Sequence, residues 1–438
     1  MNTLQLAWML TRAGGGQRRV RALTLGAYAV VSALVLIVVA GALSFTRLPE
    51  ETAAFYLPLA GIAVVLLIVP LVLVGASAAR LSARSQDRTL STLRLLGATG
   101  GQVRAISVLQ SVGTAALGAL GGVLLYLACA PLVALVNFQG APIGAGIFAP
   151  LPVLLAVLAA VLLLAAGSSL AGLRKLVISP LAVRQRVNVP RPSWVRAVLG
   201  VAGIALVYGL FSSLGAVAQS IAMMVAMLMM GLGTGLLVLN LIGPWMISVI
   251  GRRKLATAQS PEQLLASRMI LESPKAIWRQ VAPLAMAAFV AVVGGSGAAL
   301  MNQGAPEPTG GWEDYISGDM LTGVLLTLAI IFLCVAASTA ITQAAGTLDA
   351  AELYQGLGKM GLTSKTMNRA RVQAVMIPAL GAALIFAVGS GVLLLPLVGI
   401  AMIMAPLSLA MVVLTCVAGL VLVRLAVQLA APSRMLTR

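Results

Sequence analysis

The stretch that decides the fold is residues 80–104, RLSARSQDRTLSTLRLLGATGGQVR, a polar island between two long apolar segments. Four of its polar side chains recur every three or four residues and so share one face of a helix: Arg84, Asp87, Ser91 and Arg94. Gly97 follows the last apolar residue and suits the end of a helix. We therefore predict an amphipathic helix that lies on the membrane surface and joins two membrane-spanning helices.

The composition places the whole chain in the membrane. Of its 438 residues, 60% are hydrophobic and 9% are charged, whereas soluble domains carry about 25% charged residues. The net charge of +18 is not gathered on one surface, because basic residues alternate with apolar runs, and this excludes a nucleic-acid-binding protein. The absence of histidine excludes His-based catalysis. The three cysteines lie inside apolar runs, as small buried hydrophobes do.

Ten apolar segments are long enough to cross about 30 Å of hydrocarbon as helices. They cover residues 22–43, 55–79, 106–136, 148–173, 195–212, 217–250, 277–300, 320–342, 372–395 and 401–429. The turn between the fifth and the sixth segment is faint. A cleaved signal sequence is an alternative interpretation of the first.

The distribution of basic residues predicts the orientation. With the N-terminus in the cytoplasm, 28 of the 29 basic residues fall on the inner side, and Arg47 alone falls outside. The positive-inside rule therefore favours an even number of spans with both termini cytoplasmic. One outer segment is acidic, with the carboxylates Glu307, Glu313, Asp314 and Asp319. These can attract a cationic peptide, although a solvated loop is the simpler interpretation.

An internal repeat relates the two halves of the chain. LGAT at residues 96–99 aligns with MGLT at residues 360–363, and each motif follows a polar island and precedes a long apolar run. The second island covers residues 348–371. The repeat predicts three parts: residues 1–176 with spans 1–4, residues 177–255 with two linking spans, and residues 256–438 with spans 7–10.

Two glycine pairs have the G-x-x-x-G spacing that lets membrane helices approach closely. They are Gly118 with Gly122 and Gly231 with Gly235. We interpret both as helix-packing positions.

The sequence LRLLGAT at residues 93–99, followed by Gln102-Val103-Arg104 and an apolar run, resembles the cytoplasmic helix of FtsX-like permeases. These are the membrane subunits of mechanotransmission-type ABC transporters, such as the MacB, Lol and bacitracin-resistance (Bce-type) systems. The resemblance covers nearly the whole chain. It implies an all-α membrane protein of the bacterial inner membrane, with ten transmembrane helices. Two FtsX-like four-helix modules and two linking helices make up the ten, with amphipathic coupling helices on the cytoplasmic face.

The chain departs from the family pattern at two places. Thr89 stands where the family has a glutamate after the arginine at position 88. Residues 301–319, between the seventh and eighth spans, are too few for the large outer domain of the Bce-type proteins. The first departure puts the detailed ATPase contacts in doubt.

The resemblance implies two copies of a separate ABC ATPase on the inner face, one near each island. ATP and magnesium would bind that partner, and no cofactor is expected in this chain, which lacks the phosphate-binding loop G-x-x-x-x-G-K-[ST]. The apolar spans carry no acidic residue away from their ends, which argues against an ion-driven carrier. The residues assigned to ATPase coupling are Arg88, Leu93, Arg94, Leu96 and Gly97 in the first island and Glu352, Leu357, Met360 and Gly361 in the second.

Two functions are compatible with this resemblance. The first is export, or extraction from the bilayer, of an amphipathic or lipid-like compound such as an antimicrobial peptide, which would confer antibiotic resistance. The second is a signalling scaffold that moves no substrate and controls a sensor kinase or a cell-wall hydrolase through a membrane or extracytoplasmic partner. The sequence predicts contact with membrane lipid and indicates no substrate-binding residues, catalytic residues or metal ligands.

Overall fold

The computed structural model describes residues 17–95, 99–178, 221–301, 311–349, 358–393 and 395–429, together with residues 198, 202, 203, 205, 209 and 356. Its α-helices are α1 (Gln17–Ser44), α2 (Glu50–Leu95), α3 (Gly100–Ala134), α4 (Leu151–Ile178), α5 (Ile221–Ala256), α6 (Pro261–Glu272), α7 (Pro274–Met301), α8 (Ile316–Asp349), α9 (Ser364–Leu393), α10 (Leu395–Met404) and α11 (Pro406–Leu429). Two short strands, β1 (Asn137–Phe138) and β2 (Ala141–Pro142), form a hairpin between α3 and α4.

Within the described ranges, eight helices are long and apolar enough to cross a membrane, namely α1 to α4, α7 to α9 and α11. They coincide with the predicted spans 1–4 and 7–10, so the prediction of a multi-pass, all-α membrane protein is confirmed. The predicted span at 195–212 lies almost entirely outside the described residues. The predicted span at 217–250 coincides with α5, which is not among the eight.

The prediction of a separate surface helix in the first island is wrong. α2 runs without interruption for 46 residues, from Glu50 to Leu95, so the island extends the second span instead of starting a new helix. The reason lies in the sequence, since residues 76–95 contain neither glycine nor proline and no residue there stops a helix. The helix ends two residues before Gly97, and residues 96–98 lie outside the described part.

The predicted last span also begins too early. Residues 401–404 belong to the short helix α10, and the membrane-spanning helix α11 starts at Pro406. Proline is favoured in the first turn of a helix and cannot continue a preceding one, because it lacks the backbone N–H.

Glycines set the distance between α1 and α3, which pack along much of their length. A Cβ added at Gly118 would lie 2.6 Å from the Cβ of Tyr28, and one added at Gly122 would lie 2.6 Å from the Cβ of Ser32. Real Cβ atoms do not approach that closely. The G-x-x-x-G pair at 118 and 122 is therefore a helix-packing site, as predicted. The side chains around the second pair, at 231 and 235, lie outside the described part.

Helix α7 occupies the same place in the second half of the chain that α1 occupies in the first. α7 packs on α8 and α9, and α1 packs on α2 and α3. α5 and α6 pack beside the second group, where the ring of the buried Trp278 on α7 lies directly over Gly243 of α5. α2 and α8 pack against each other, and one cluster of buried apolar side chains runs through both groups.

The bundle has two ends that carry different chemistry. We call the end where α2 and α8 begin the hairpin end, because the β1–β2 hairpin lies there and bonds to α8. The opposite end, where α3 and α9 begin, is the island end.

Candidate functional site at the two ends of the bundle

At the island end, the first motif ends in a helix cap. The Oγ1 atom of Thr99 accepts a hydrogen bond from the backbone N–H of Gln102 at 3.3 Å, and the Oε1 atom of Gln102 accepts one from the backbone N–H of Thr99 at 3.0 Å. This reciprocal capping box satisfies two amide groups that the first turn of α3 leaves unpaired. A cap of this kind contributes about 1 kcal/mol to helix stability. The capping box therefore stabilises the start of α3 within the first island.

The second motif also ends in a helix cap. The backbone N–H of Gly361 donates to the carbonyl of Gly358 at 3.1 Å, and Gly361 has a φ of 88°, a left-handed conformation that other residues rarely adopt. Two residues later, the Oγ1 atom of Thr363 accepts a hydrogen bond from the backbone N–H of Thr366 at 3.3 Å. Each motif thus places a capping threonine at the start of the following helix.

The structure describes only part of the predicted coupling set. Arg88, Leu93 and Arg94 lie in the last two turns of α2, where the structure describes the helix but not the side chains. Met360 is exposed, with 73% of its surface accessible, and Gly361 forms the turn beside it. The remaining four members lie outside the described residues: Leu96, Gly97, Glu352 and Leu357.

Two polar contacts at the island end were not predicted from the sequence. The Nη1 atom of Arg369 on α9 lies 3.4 Å from the Oε1 atom of Glu262 on α6. The buried Arg371 donates from its Nε to the Oε1 atom of Gln343 on α8 at 3.1 Å. Together these contacts tie α9 to its neighbours within two turns of Thr363. The sequence marked both arginines as basic residues of the island but did not indicate their partners.

At the hairpin end, a second polar group joins the two halves of the chain. The hydroxyl of Tyr56 on α2 donates to the Oδ2 atom of Asp319 on α8 at 2.5 Å, and the backbone N–H of Gln139 donates to the same oxygen at 2.8 Å. Tyr56 and Asp319 are buried, with 3% and 8% of their surfaces exposed. A carboxylate with two such donors is held firmly. We call these three residues the hairpin-end clamp.

The turn of the hairpin that contacts α8 has a strained backbone. Gln139 and Gly140 form its two-residue turn, and both have positive φ angles, 56° and 73°, as a type I′ turn requires. This conformation is unusual for glutamine. A Cβ at Gly140 would lie 2.7 Å from the ring of Tyr315, so only glycine lets the turn approach the chain before α8 this closely.

For Asp319, the clamp corrects the interpretation of the acidic outer segment as a solvated loop. Asp319 is buried and hydrogen-bonded, and it lies in the first turn of α8 instead of in a loop. Glu307 lies outside the described residues, and of the other two acids only Asp314 has a described side chain, which is partly buried. The sequence singled out Asp319 but gave no signal for Tyr56 or Gln139, because the partners are far apart in the chain.

Comparison with known proteins places the first island inside a known domain. Residues 60–181 match the family model described as FtsX-like permease C-terminal. The matched residues comprise most of α2, the first island, α3 and α4. No curated protein matches the sequence.

Proposed function

We propose, from the match of residues 60–181 to the FtsX-like permease C-terminal model, that the chain is the membrane subunit of an ATP-driven ABC transporter of the mechanotransmission class. The observation that carries the proposal is the position of the first island, which lies inside the matched domain. The island extends α2 beyond its apolar part as far as Leu95 and also contains the capped start of α3. A helix of this kind offers a partner a rigid surface that is continuous with a membrane span.

The second half supports the same role for the second island. Thr363 caps α9 as Thr99 caps α3, and α7 packs on both α8 and α9 as α1 packs on both α2 and α3. We propose that residues 1–176 and 256–438 are two four-span modules, that residues 177–255 link them, and that the complete chain has ten spans. Each island would then bind one copy of a separate ABC ATPase, so that two ATPases bind the chain.

The proposal includes the location and the cargo. The island end and both termini face the cytoplasm of a bacterial cell. ATP and magnesium bind the partner ATPase. Closure of the ATPase pair would move the two modules against each other across the contact between α2 and α8. The cargo would be an amphipathic or lipid-like compound, because the helix surfaces available to it are apolar.

The test is co-expression of the tagged full chain with candidate ABC ATPases from the same genome. Arg94→Glu reverses a charge in the last turn of α2, so we expect it to lower ATPase copurification about tenfold, a loss that corresponds to about 1.4 kcal/mol. The matched control is Arg47→Glu, because Arg47 is exposed at the opposite end of the bundle. Equal copurification with both variants would remove Arg94 from the interface, and no copurification with the unaltered chain would remove the proposed function.

A susceptibility assay separates transport from signalling. Cells that lack the chain should regain resistance to an antimicrobial peptide only when the chain is supplied with an active ATPase. Rescue that is equally strong with an ATPase-dead partner would contradict ATP-driven export.

A further inference from the structure

A cavity of about 280 Å³ opens between α2, α7 and α8 at the hairpin end. α2 lines it with residues between positions 55 and 66, and α8 lines it with residues between positions 316 and 327. At a rise of 1.5 Å per residue, each of these faces is about 17 Å long. A cavity of about 150 Å³ holds a benzene ring, so this volume holds on the order of ten carbon atoms. Its length favours an extended chain over a compact ring system.

The wall of the cavity is apolar along most of this length. α7 contributes Phe289 and Val293, and α8 contributes Val324. At the end remote from the hairpin, the hydroxyl of Thr327 donates to the carbonyl of Gly323 in its own helix at 2.8 Å. This part of the cavity therefore suits an aliphatic chain.

The hairpin end of the cavity is different, because Tyr56 and Asp319 form part of its wall. The Oδ2 atom of Asp319 accepts both hydrogen bonds of the clamp, and neither bond uses the Oδ1 atom. Within the described part of the chain, no basic side chain lies within 4.0 Å of this carboxylate. A carboxylate that is more than nine-tenths buried is costly unless it is paired. Among the described residues, this carboxylate therefore has two hydrogen-bond donors and no basic partner.

From this arrangement we propose that the cavity binds a single-chain amphiphile with a cationic head group. The alkyl chain lies along α2 and α8, and an ammonium group at its end pairs with the Oδ1 atom of Asp319. A neutral or anionic head group in the same place would leave the carboxylate without a counter-charge. The inference names a substrate class for the proposed permease and rests on that function for its biological role. The binding itself requires neither the ATPase nor nucleotide.

The test uses photoreactive probes on the purified full chain in phosphatidylcholine nanodiscs, without ATPase or nucleotide. Three probes carry the same dodecyl chain with a diazirine and differ only in the head group, which is an ammonium, an alcohol or a sulfate. We expect the ammonium probe to label peptides of α2 and α8 about tenfold more than either of the other probes, because a charge-assisted hydrogen bond is stronger than one between neutral groups. Asp319→Asn should lower labelling by the ammonium probe about tenfold and leave labelling by the alcohol unchanged.

A second pair of variants tests the cavity without altering the clamp. Gly318 and Gly323 both lie on α8, and a Cβ at either would meet nothing within 4 Å. Only Gly323 lines the cavity. Gly323→Leu should therefore fill the cavity and abolish labelling by all three probes, whereas Gly318→Leu should leave it unchanged. This pair keeps the test decisive even if the Asp319 variant does not fold.

Three results would overturn the proposal. The first is equal labelling by the three probes in the unaltered chain, and the second is labelling by the ammonium probe that neither Asp319→Asn nor Gly323→Leu lowers. The third is loss of that labelling in nanodiscs that contain phosphatidylethanolamine, which would make a two-chain membrane lipid the occupant. Failure of ATPase copurification together with the expected labelling would remove the permease function and leave the binding site standing.

Discussion

The Oγ atom of Ser77 lies 3.2 Å from the Oγ atom of Ser338, in a buried contact between α2 and α8. These serines are 261 positions apart in the sequence, and the clamp residues Tyr56 and Asp319 are 263 positions apart. The two capping threonines, Thr99 and Thr363, are 264 positions apart. α2 and α8 therefore run parallel, and residues separated by nearly the same number of positions face each other. An axis of approximate two-fold symmetry between the two helices would produce this register.

The serine contact provides a test of movement between the two halves. In a chain without its three native cysteines, Ser77→Cys and Ser338→Cys together should form a disulfide on oxidation, because the two side chains already meet. If the halves move against each other, the disulfide should lower ATPase turnover of the assembled complex at least tenfold, and a reductant should restore it. The measurement is the turnover before and after reduction.

The matched control for this cross-link lies within the first half. Ser107 on α3 and Ser169 on α4 are also buried with their Oγ atoms 3.2 Å apart. A cysteine pair at these positions should leave turnover unchanged. Equal inhibition by both pairs would mean that rigidity in general, and not movement between α2 and α8, limits turnover.

The packing of α1 on α3 predicts a strong effect of one methyl group. Gly118→Ala places a Cβ 2.6 Å from the Cβ of Tyr28 and 2.9 Å from the carbonyl oxygen of Leu25. Because neither the backbone nor a Cβ can move aside easily, we expect a loss of about 1–3 kcal/mol in the free energy of unfolding. Gly113→Ala, where a Cβ meets nothing within 4 Å, should be neutral or slightly stabilising. Thermal unfolding in the same detergent compares the two.

The turn at Gly361 predicts a specific defect at the second island. Its φ of 88° costs an L-residue about 1–2 kcal/mol, so Gly361→Ala should shift the chain beside Met360. We expect ATPase copurification to fall about tenfold while the folded yield of the chain remains. Gly358→Ala is the control, because Gly358 is helical and has open space for a Cβ. If the two variants retain the ATPase equally, the second island does not contribute to the interface.

The strained turn of the hairpin predicts a stabilising substitution. Gln139→Gly removes the cost of a positive φ at a residue other than glycine and keeps the backbone N–H that donates to Asp319. We expect a gain of about 1 kcal/mol in the free energy of unfolding. Gln139→Pro should instead destabilise the chain, because proline has no N–H and its ring excludes a positive φ. In denaturation experiments, Gln139→Gly should be the most stable, the unaltered chain intermediate and Gln139→Pro the least stable.

The sequence predicted the eight spans that the structure describes, because each is a long apolar run and the membrane allows only helices or closed barrels to cross it. The alignment of residues 96–99 with residues 360–363 stays a prediction, and within the described residues the two motifs share a threonine that caps the following helix. The end of α2 was harder to predict, because polar residues that favour helices do not stop one. The break before Pro406 was missed because the apolar composition continues across it.

The site at the hairpin end could not be predicted from the sequence. Tyr56, Gln139 and Asp319 belong to three segments that meet only when the two halves pack, and no local pattern links them. The sequence indicated Asp319 through its charge and position before a span. It did not reveal that the residue is buried, because an acid near the end of an apolar run is equally compatible with a buried position and with a solvated loop.

The length of α2 has a mechanical consequence. Pro58 and Pro70 both lie inside the helix, and each removes one backbone hydrogen bond. Pro70 is the one near the middle, so we expect any bending of the helix to occur there. The 25 residues from Leu71 to Leu95 extend for about 37 Å beyond it. A tilt of about 10° at Pro70 swings the tip at Leu95 through roughly 6 Å. Because the helix is continuous from Leu71 to Leu95, a small rotation inside the bilayer would produce a displacement of several ångströms at the island end.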